Sequence, residues 1–294
     1  MRRSAALVMA LLAGPVGAGP VAVPADCAEL AALIEGVVGS GLTVPPSAAK
    51  DGWCVLDGAR SFGGEVRVSA EVLRVRGEVL EDRLVALEVE GAGLRVAPAL
   101  NNRDMAGWLR DLMRLQSADL QLTLRRDEAQ DVLRIERGFL GLSGGGELDV
   151  TGTVAGADLS ASSLLIGRVT TLTVEWLNDG RTLRPLLEAM GGRLQPGATG
   201  TEAVLAARAA LQGAVAAVPV AALAEGDAEA AEAVIAALPQ GRGRVTVGVA
   251  SDGGIGAAQL GLLALAEDPT GPESLARFFA GSRVTVAWAP GLSP

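Results

Sequence analysis

Four groups of residues in this 294-residue chain have types and spacings that chemistry uses. Ser47-Ala48-Ala49-Lys50 matches S-x-x-K, in which a serine nucleophile has a lysine three positions on. Gly141-Leu142-Ser143-Gly144-Gly145 matches the G-x-S-x-G elbow, which lifts a serine from a strand end toward a histidine base. Glu88 with Glu90, and Glu147 with Asp149, are carboxylate pairs, and two carboxylates suffice for glycoside hydrolysis. Cys27 and Cys54 are the two cysteines.

Composition removes the partners that most of these groups need. The chain has no His and no Tyr, and Lys50 is its one lysine. Without His there is no Ser-His-Asp or Cys-His catalysis, no imidazole base and no His-ligated metal. The G-x-S-x-G match therefore reads as a Gly-rich hairpin turn. The S-x-x-K chemistry needs a second lysine in a K-T-G element, which a single-lysine chain lacks. Two cysteines cannot build a four-thiolate zinc or iron–sulfur site. Gly254-Ile255-Gly256 has Gln259 at the sixth position, so it is not a dinucleotide fingerprint. Asp127, Glu128 and Asp131 lack the alternating acidic pattern of a calcium loop and read as a solvated hairpin tip. The carboxylate pairs alternate with apolar residues, which places them on the wet face of a strand. The sequence thus assigns no catalytic residue, no metal ligand and no cofactor, and the expectation is a non-enzymatic protein.

The first residues address the chain. Arg2 and Arg3 precede a short apolar run at 5–13, and small residues follow around Ala18 and Ala25. This is the pattern of a signal peptide over 1–25, cleaved after Ala18 or Ala25, and it implies a periplasmic protein. The run is too short to span a bilayer, and so is the Ala-rich stretch at 209–224 with its internal Pro219. No stable transmembrane segment is expected once the leader is gone. In an exported chain, an isolated cysteine pair without C-x-x-C spacing is a structural disulfide, Cys27–Cys54. It closes a loop of about 28 residues and is worth roughly 3.5 kcal/mol. Trp53 is expected to pack on that bridge. The formal charge is −9, and losing the leader removes only basic groups. Such a chain is repelled by nucleic acid, so none is expected as a partner.

The elements that would carry any site follow from periodicity. A helix is expected over 26–38. From about residue 64 the apolar period becomes two. Val66 and Val68, then Val85, Leu87 and Val89, then Leu120, Leu122 and Leu124 alternate with polar neighbours. Leu133 and Ile135, then Leu148, Val150 and Val154, then Leu172, Val174 and Trp176 do the same. Strands with one apolar and one polar face, separated by Gly and Asp turns, build antiparallel sheets. Turns are expected at Gly91 and Gly93. Short amphipathic helices are expected at 103–115, at 181–190 with Gly191 as the stop, and at 272–280. Strands are expected at 92–98, 258–265 and 283–288 beside them. The block 203–238 reads as an Ala-rich helical hairpin laid on the sheet. The fold class is α+β: a mainly antiparallel sheet, a meander curved into a groove, with short helices packed on it. The 191–201 stretch divides a disulfide-stapled β-rich domain at 26–190 from a helical-hairpin and β-rich subdomain at 201–294.

Three segments, LRIERGFLGLSGGGELDVTGTV (133–154), TLTVEWLNDGRTLRPLLEAMG (171–191) and SLARFFAGSRVTVAWAPG (274–291), are similar to uncharacterised alphaproteobacterial envelope proteins of AsmA-like style. The resemblance covers about residues 60–290 in pattern and transfers no individual functional residue. It implies handling of phospholipid or assembly of the outer envelope through a β-sheet groove. The groove would be lined by Val85, Leu87, Val89, Leu120, Leu122, Leu124, Leu172, Val174 and Trp176. Its partners would be lipids or envelope proteins. The alternatives are a periplasmic protein–protein scaffold and, third, a carboxylate-dependent hydrolase.

Overall fold

The computed structural model describes residues 22–30, 42–43, 51–56, 60–61, 66–98, 117–160, 163, 166–180, 183–257, 259 and 272–291. Most of the expected leader, the 31–38 part of the first helix, Ser47 and Lys50, the helix at 103–115 and all but Gln259 of the 258–265 strand lie outside them.

The chain is mostly antiparallel sheet. Its short first strands are β1 (Val23–Pro24), β2 (Leu42–Thr43), β3 (Cys54–Val55), β4 (Arg60–Ser61) and β5 (Val66–Ser69). A meander of longer strands follows: β6 (Val72–Leu80), β7 (Arg83–Pro98), β8 (Ala118–Asp127), β9 (Val132–Leu142), β10 (Glu147–Ala155) and β11 (Arg168–Asn178). Then come helices α1 (Leu183–Leu194) and α2 (Gly200–Ala217), a 3-10 turn at Val220–Ala222, and α3 (Asp227–Ala237). Strand β12 (Gly243–Gly256), helix α4 (Pro272–Phe278) and strand β13 (Ser282–Pro290) complete the order. The sheet runs β13-β12-β11-β10-β9-β8-β7-β5-β4-β2, with β6 on β7 and both β1 and β3 on β6.

The turns explain the meander. Glu81 and Asp82, at φ +50° and +60°, make a two-residue hairpin between β6 and β7. Both central residues are left-handed, as a turn matching the strand twist requires. Gly145 and Gly146, at +94° and +100°, turn β9 into β10. A Cβ on Gly145 would lie 1.8 Å from Asp179 Oδ2, so glycine is required there twice over. The turn expected at Gly91 and Gly93 is not one. β7 runs through both, with a register shift between Gly91 and Leu94 and Gly93 at φ +60°. A bulge absorbs the irregularity, and the freed Gly93 N–H donates to Asp119 Oδ1 at 3.0 Å.

The expected stop at Gly191 is also different. α1 continues to Leu194, because Gly191 is buried where α1 crosses α2. A Cβ there would meet the Ala203 carbonyl oxygen at 1.7 Å. The Ala-rich block does contain two helices, but α2 packs on α1 through Leu187, Val204 and Ala207. It is α3 that reaches the sheet, and it does so at β13. Across the 191–201 stretch the sheet is continuous, since β12 pairs with β11 along ten residues, Arg168 to Asn178 with Gly243 to Gly256.

The principal core sits on β6 to β9. Leu73, Val75, Leu87 and Leu133 are buried there, covered by Leu30, Cys54, Leu56 and Leu159. Cys27 and Cys54 form a disulfide with Cα atoms 5.5 Å apart. The bridge ties the helical turn that carries Leu30 to β3, and β3 to the sheet. Trp53 does not pack on the bridge. Cys54 pairs with Val75, so its neighbour Trp53 points to the opposite face. There the ring lies under Arg74 and Arg76, whose guanidinium carbons are 4.7 and 4.5 Å from its centroid.

Candidate functional site

Cross-strand register decides which alternating residues meet. Three apolar rungs run straight across eight strands, from β6 to β13. The first is Leu73, Gly91, Leu120, Leu140, Leu148, Trp176, Val245 and Trp288. The second is Val75, Val89, Leu122, Gly138, Val150, Val174, Val247 and Val286. The third is Gly77, Leu87, Leu124, Ile135, Gly152, Leu172, Val249 and Val284. Bulges in β9 and β7 absorb an extra residue without moving the side chains off these rungs.

Eight of the nine residues expected to line a groove lie on these rungs. Leu87 stands opposite Leu124 and Val89 opposite Leu122. Leu172, Val174 and Trp176 stand three strands further on, across β9 and β10 from Leu124, Leu122 and Leu120. Val85 is different. It is the extra residue where β7 slips against β6, and it lines a cleft of about 280 Å³ with Leu84, Arg126 and Leu159. The expected set also lacks the last two strands of the apolar grid entirely. Val245, Val247 and Val249 of β12 complete every rung, and Val284, Val286 and Trp288 of β13 end them. Their alternation with Arg244, Thr246 and Gly248, and with Arg283, Thr285 and Ala287, is the signal that identifies them.

Burial divides the face in two. At β6 and β7 the disulfide-tethered segment closes it, and Leu73, Val75 and Leu87 are buried. From β8 to β13 no rung residue is buried: Leu120, Leu122, Leu124, Ile135 and Leu140 are half-buried, as are Leu148, Val150, Leu172, Val174, Trp176 and their partners on β12 and β13. Trp176 Nε1 is enclosed without a hydrogen-bond partner, an unusual state for a buried donor.

The other face is charged and internally paired. Arg76 donates to Glu88 at 2.6 Å, Arg244 to Glu175 at 2.8 Å and Arg134 to Asp127 at 2.9 Å, and Arg74 pairs with Glu90. The two strand-face carboxylates Glu88 and Glu90 thus each hold an arginine. The Arg134 hydrogen bond holds the Asp127 carboxyl below its ordinary range. Hydrogen bonds from Ser160, and then Ser163, do the same for Asp158. Ser143, the serine of the G-x-S-x-G match, lies in the β9–β10 hairpin. Its Oγ accepts the Ser117 N–H at 2.9 Å, and its own N–H donates to the Ser117 carbonyl at 2.8 Å. Ser47 and Lys50 lie outside the described residues. Among the described residues no group of three or more His, Cys, Asp or Glu is placed to hold a metal ion, and no helix is long and apolar enough to cross a membrane.

No protein-family model matches the chain, and no curated protein matches it.

Proposed function

We propose that the chain is a non-enzymatic envelope protein of the periplasm that binds the acyl chain of a lipid across β8 to β13. The observation that carries this reading is the half-buried grid of three apolar rungs on six strands. Strands lie about 4.8 Å apart, so this part of the face is about 24 Å across. One leaflet of a bilayer is about 15 Å of hydrocarbon. A single acyl chain laid along a rung therefore fits within the grid. Each buried CH₂ contributes about 0.8 kcal/mol, which drives binding without a catalytic group. The disulfide and the wet, ion-paired opposite face fit an oxidising compartment and a one-sided site.

Native mass spectrometry of the protein, after exposure to phospholipid vesicles, is expected to show bound acyl lipid. Empty protein overturns the reading. Val174→Asp puts a charge on the middle rung between Val150 and Val247. Losing contact with two to three CH₂ groups costs about 2 kcal/mol, or roughly 30-fold in affinity. Thr173→Asp, one residue along on the charged face, is expected to leave binding unchanged. Equal effects from the two variants refute the site.

A second reading rests on α1 and α2. Leu194 and Leu205 are more than half exposed. A protein partner on these helices, in a scaffold role, would cover them. An envelope-extract pull-down that Leu205→Glu abolishes supports it, and one that Leu205→Glu leaves intact removes it.

A further inference from the structure

Strand β13 ends the sheet, yet its outer edge is not open to solvent. The segment 219–227 lies along it. Leu223 makes an isolated parallel bridge to Val284. Asp227 is 8% exposed, and its Oδ1 accepts the Val286 N–H at 2.8 Å. Its Oδ2 accepts the Ala224 N–H, also at 2.8 Å, which folds the segment back on itself. A carboxylate thus fills the place where a neighbouring strand's carbonyl would sit. Native sheets cover their edges in this way to prevent pairing with other chains.

The covered edge complements itself. Val286 pairs with Val247 of β12, and its N–H points away from that partner, toward Asp227. By the two-residue period, Val284 and Trp288 present their N–H and C=O groups to the same side. Two copies of β13 running antiparallel about Val286 set Val286 opposite Val286 and Val284 opposite Trp288. About six backbone hydrogen bonds follow. Val284, Val286 and Trp288 would meet their counterparts on the apolar face. On the other face Arg283 falls opposite Ala289, and Thr285 opposite Ala287, so no like charges oppose.

We propose that β13 is a self-pairing edge whose partner is β13 of a second copy, and that residues 219–227, pinned by Asp227, hold it shut in the monomer. This rests on strand register and is independent of lipid binding.

Light scattering after size-exclusion chromatography tests it on the full chain. The unchanged protein is expected at monomer mass, and Asp227→Ala at doubled mass in a concentration-dependent way. Adding Val286→Pro to Asp227→Ala removes the outward N–H while sparing every bond to β12, and is expected to restore the monomer. Leu223→Gly loosens the backbone of the covering segment without touching Asp227 and is expected to give the same doubling. Folded Asp227→Ala and Leu223→Gly proteins that stay monomeric overturn the proposal, as does a doubled mass that persists with Val286→Pro. If neither variant folds, the segment is a brace rather than a removable cover, and the proposal fails.

Discussion

Removing the disulfide tests how the closed end of the apolar face is held. The perturbation is Cys27→Ala with Cys54→Ala. The bridge spans 27 positions. On the chain-entropy model, closing that loop stabilises the fold by about 3.5 kcal/mol. In a chain of this size each kcal/mol moves Tm by about 2 °C, so a fall of about 7 °C is expected. A second contribution depends on Leu30, which is 2% exposed and packs in the core with Leu73 and Val75. If the helical turn stays docked without its tether, the loop contribution is the whole effect. If it lets go, the unburied Leu30 adds about 2 kcal/mol, and the fall grows to about 11 °C. Thermal melting by circular dichroism reads the first quantity, and a rise in binding of an apolar dye reads the second. Each single variant already breaks the loop, so either one alone is expected to cost nearly as much as both. A double variant that melts within about 2 °C of the unchanged protein, or single variants whose effects add, refutes the reasoning.

Three further outcomes follow from particular contacts. Gly191→Ala forces a methyl to within 1.7 Å of the Ala203 carbonyl, and about 1–3 kcal/mol of destabilisation is expected in urea unfolding. Gly213→Ala meets nothing within 4 Å in the middle of α2 and is expected to stabilise by up to about 1 kcal/mol, so a loss at this position contradicts the α2 packing. Asp158 titrates below its ordinary value because the folded state binds its charged form through Ser160. That contribution to stability is present above the ordinary carboxylate range and fades as pH falls through the lowered folded value. Ser160→Ala is expected to raise the Asp158 titration toward the ordinary range in carboxyl-carbon NMR, and an unmoved midpoint rules out that cause.

Local pattern was enough to read the strands but not their neighbours. Alternation of two marks β8, β10 and β11, because one face of each packs on apolar groups while the other meets water. It does not mark the bulge in β7. Gly91 and Gly93 suit a turn as well as a bulge, and the choice falls to β6, β5 and β8, which all pair with β7. Gly191 reads as a helix stop for the same reason: an absent side chain serves a chain break and a close helix crossing equally. β12 is legible in the period of two at Val245, Val247 and Val249, but its pairing with β11, across the Ala-rich helices, is not.

The amino-acid sequence by itself settled which chemistries are missing, since a chain without His and with one lysine cannot assemble them whatever its shape. It also settled the two-faced character of the strands, which is a property of consecutive residues. Only the tertiary structure decided the rungs. Which leucine meets which valine depends on register, and register is set by turns, bulges and partners far apart in the chain. The pairing of β11 with β12 joins residues separated by three helices. Asp227 reaches Val286 from 59 positions away. Contacts of that separation carry no local signal, because they are made by the fold's geometry rather than by any neighbouring residue.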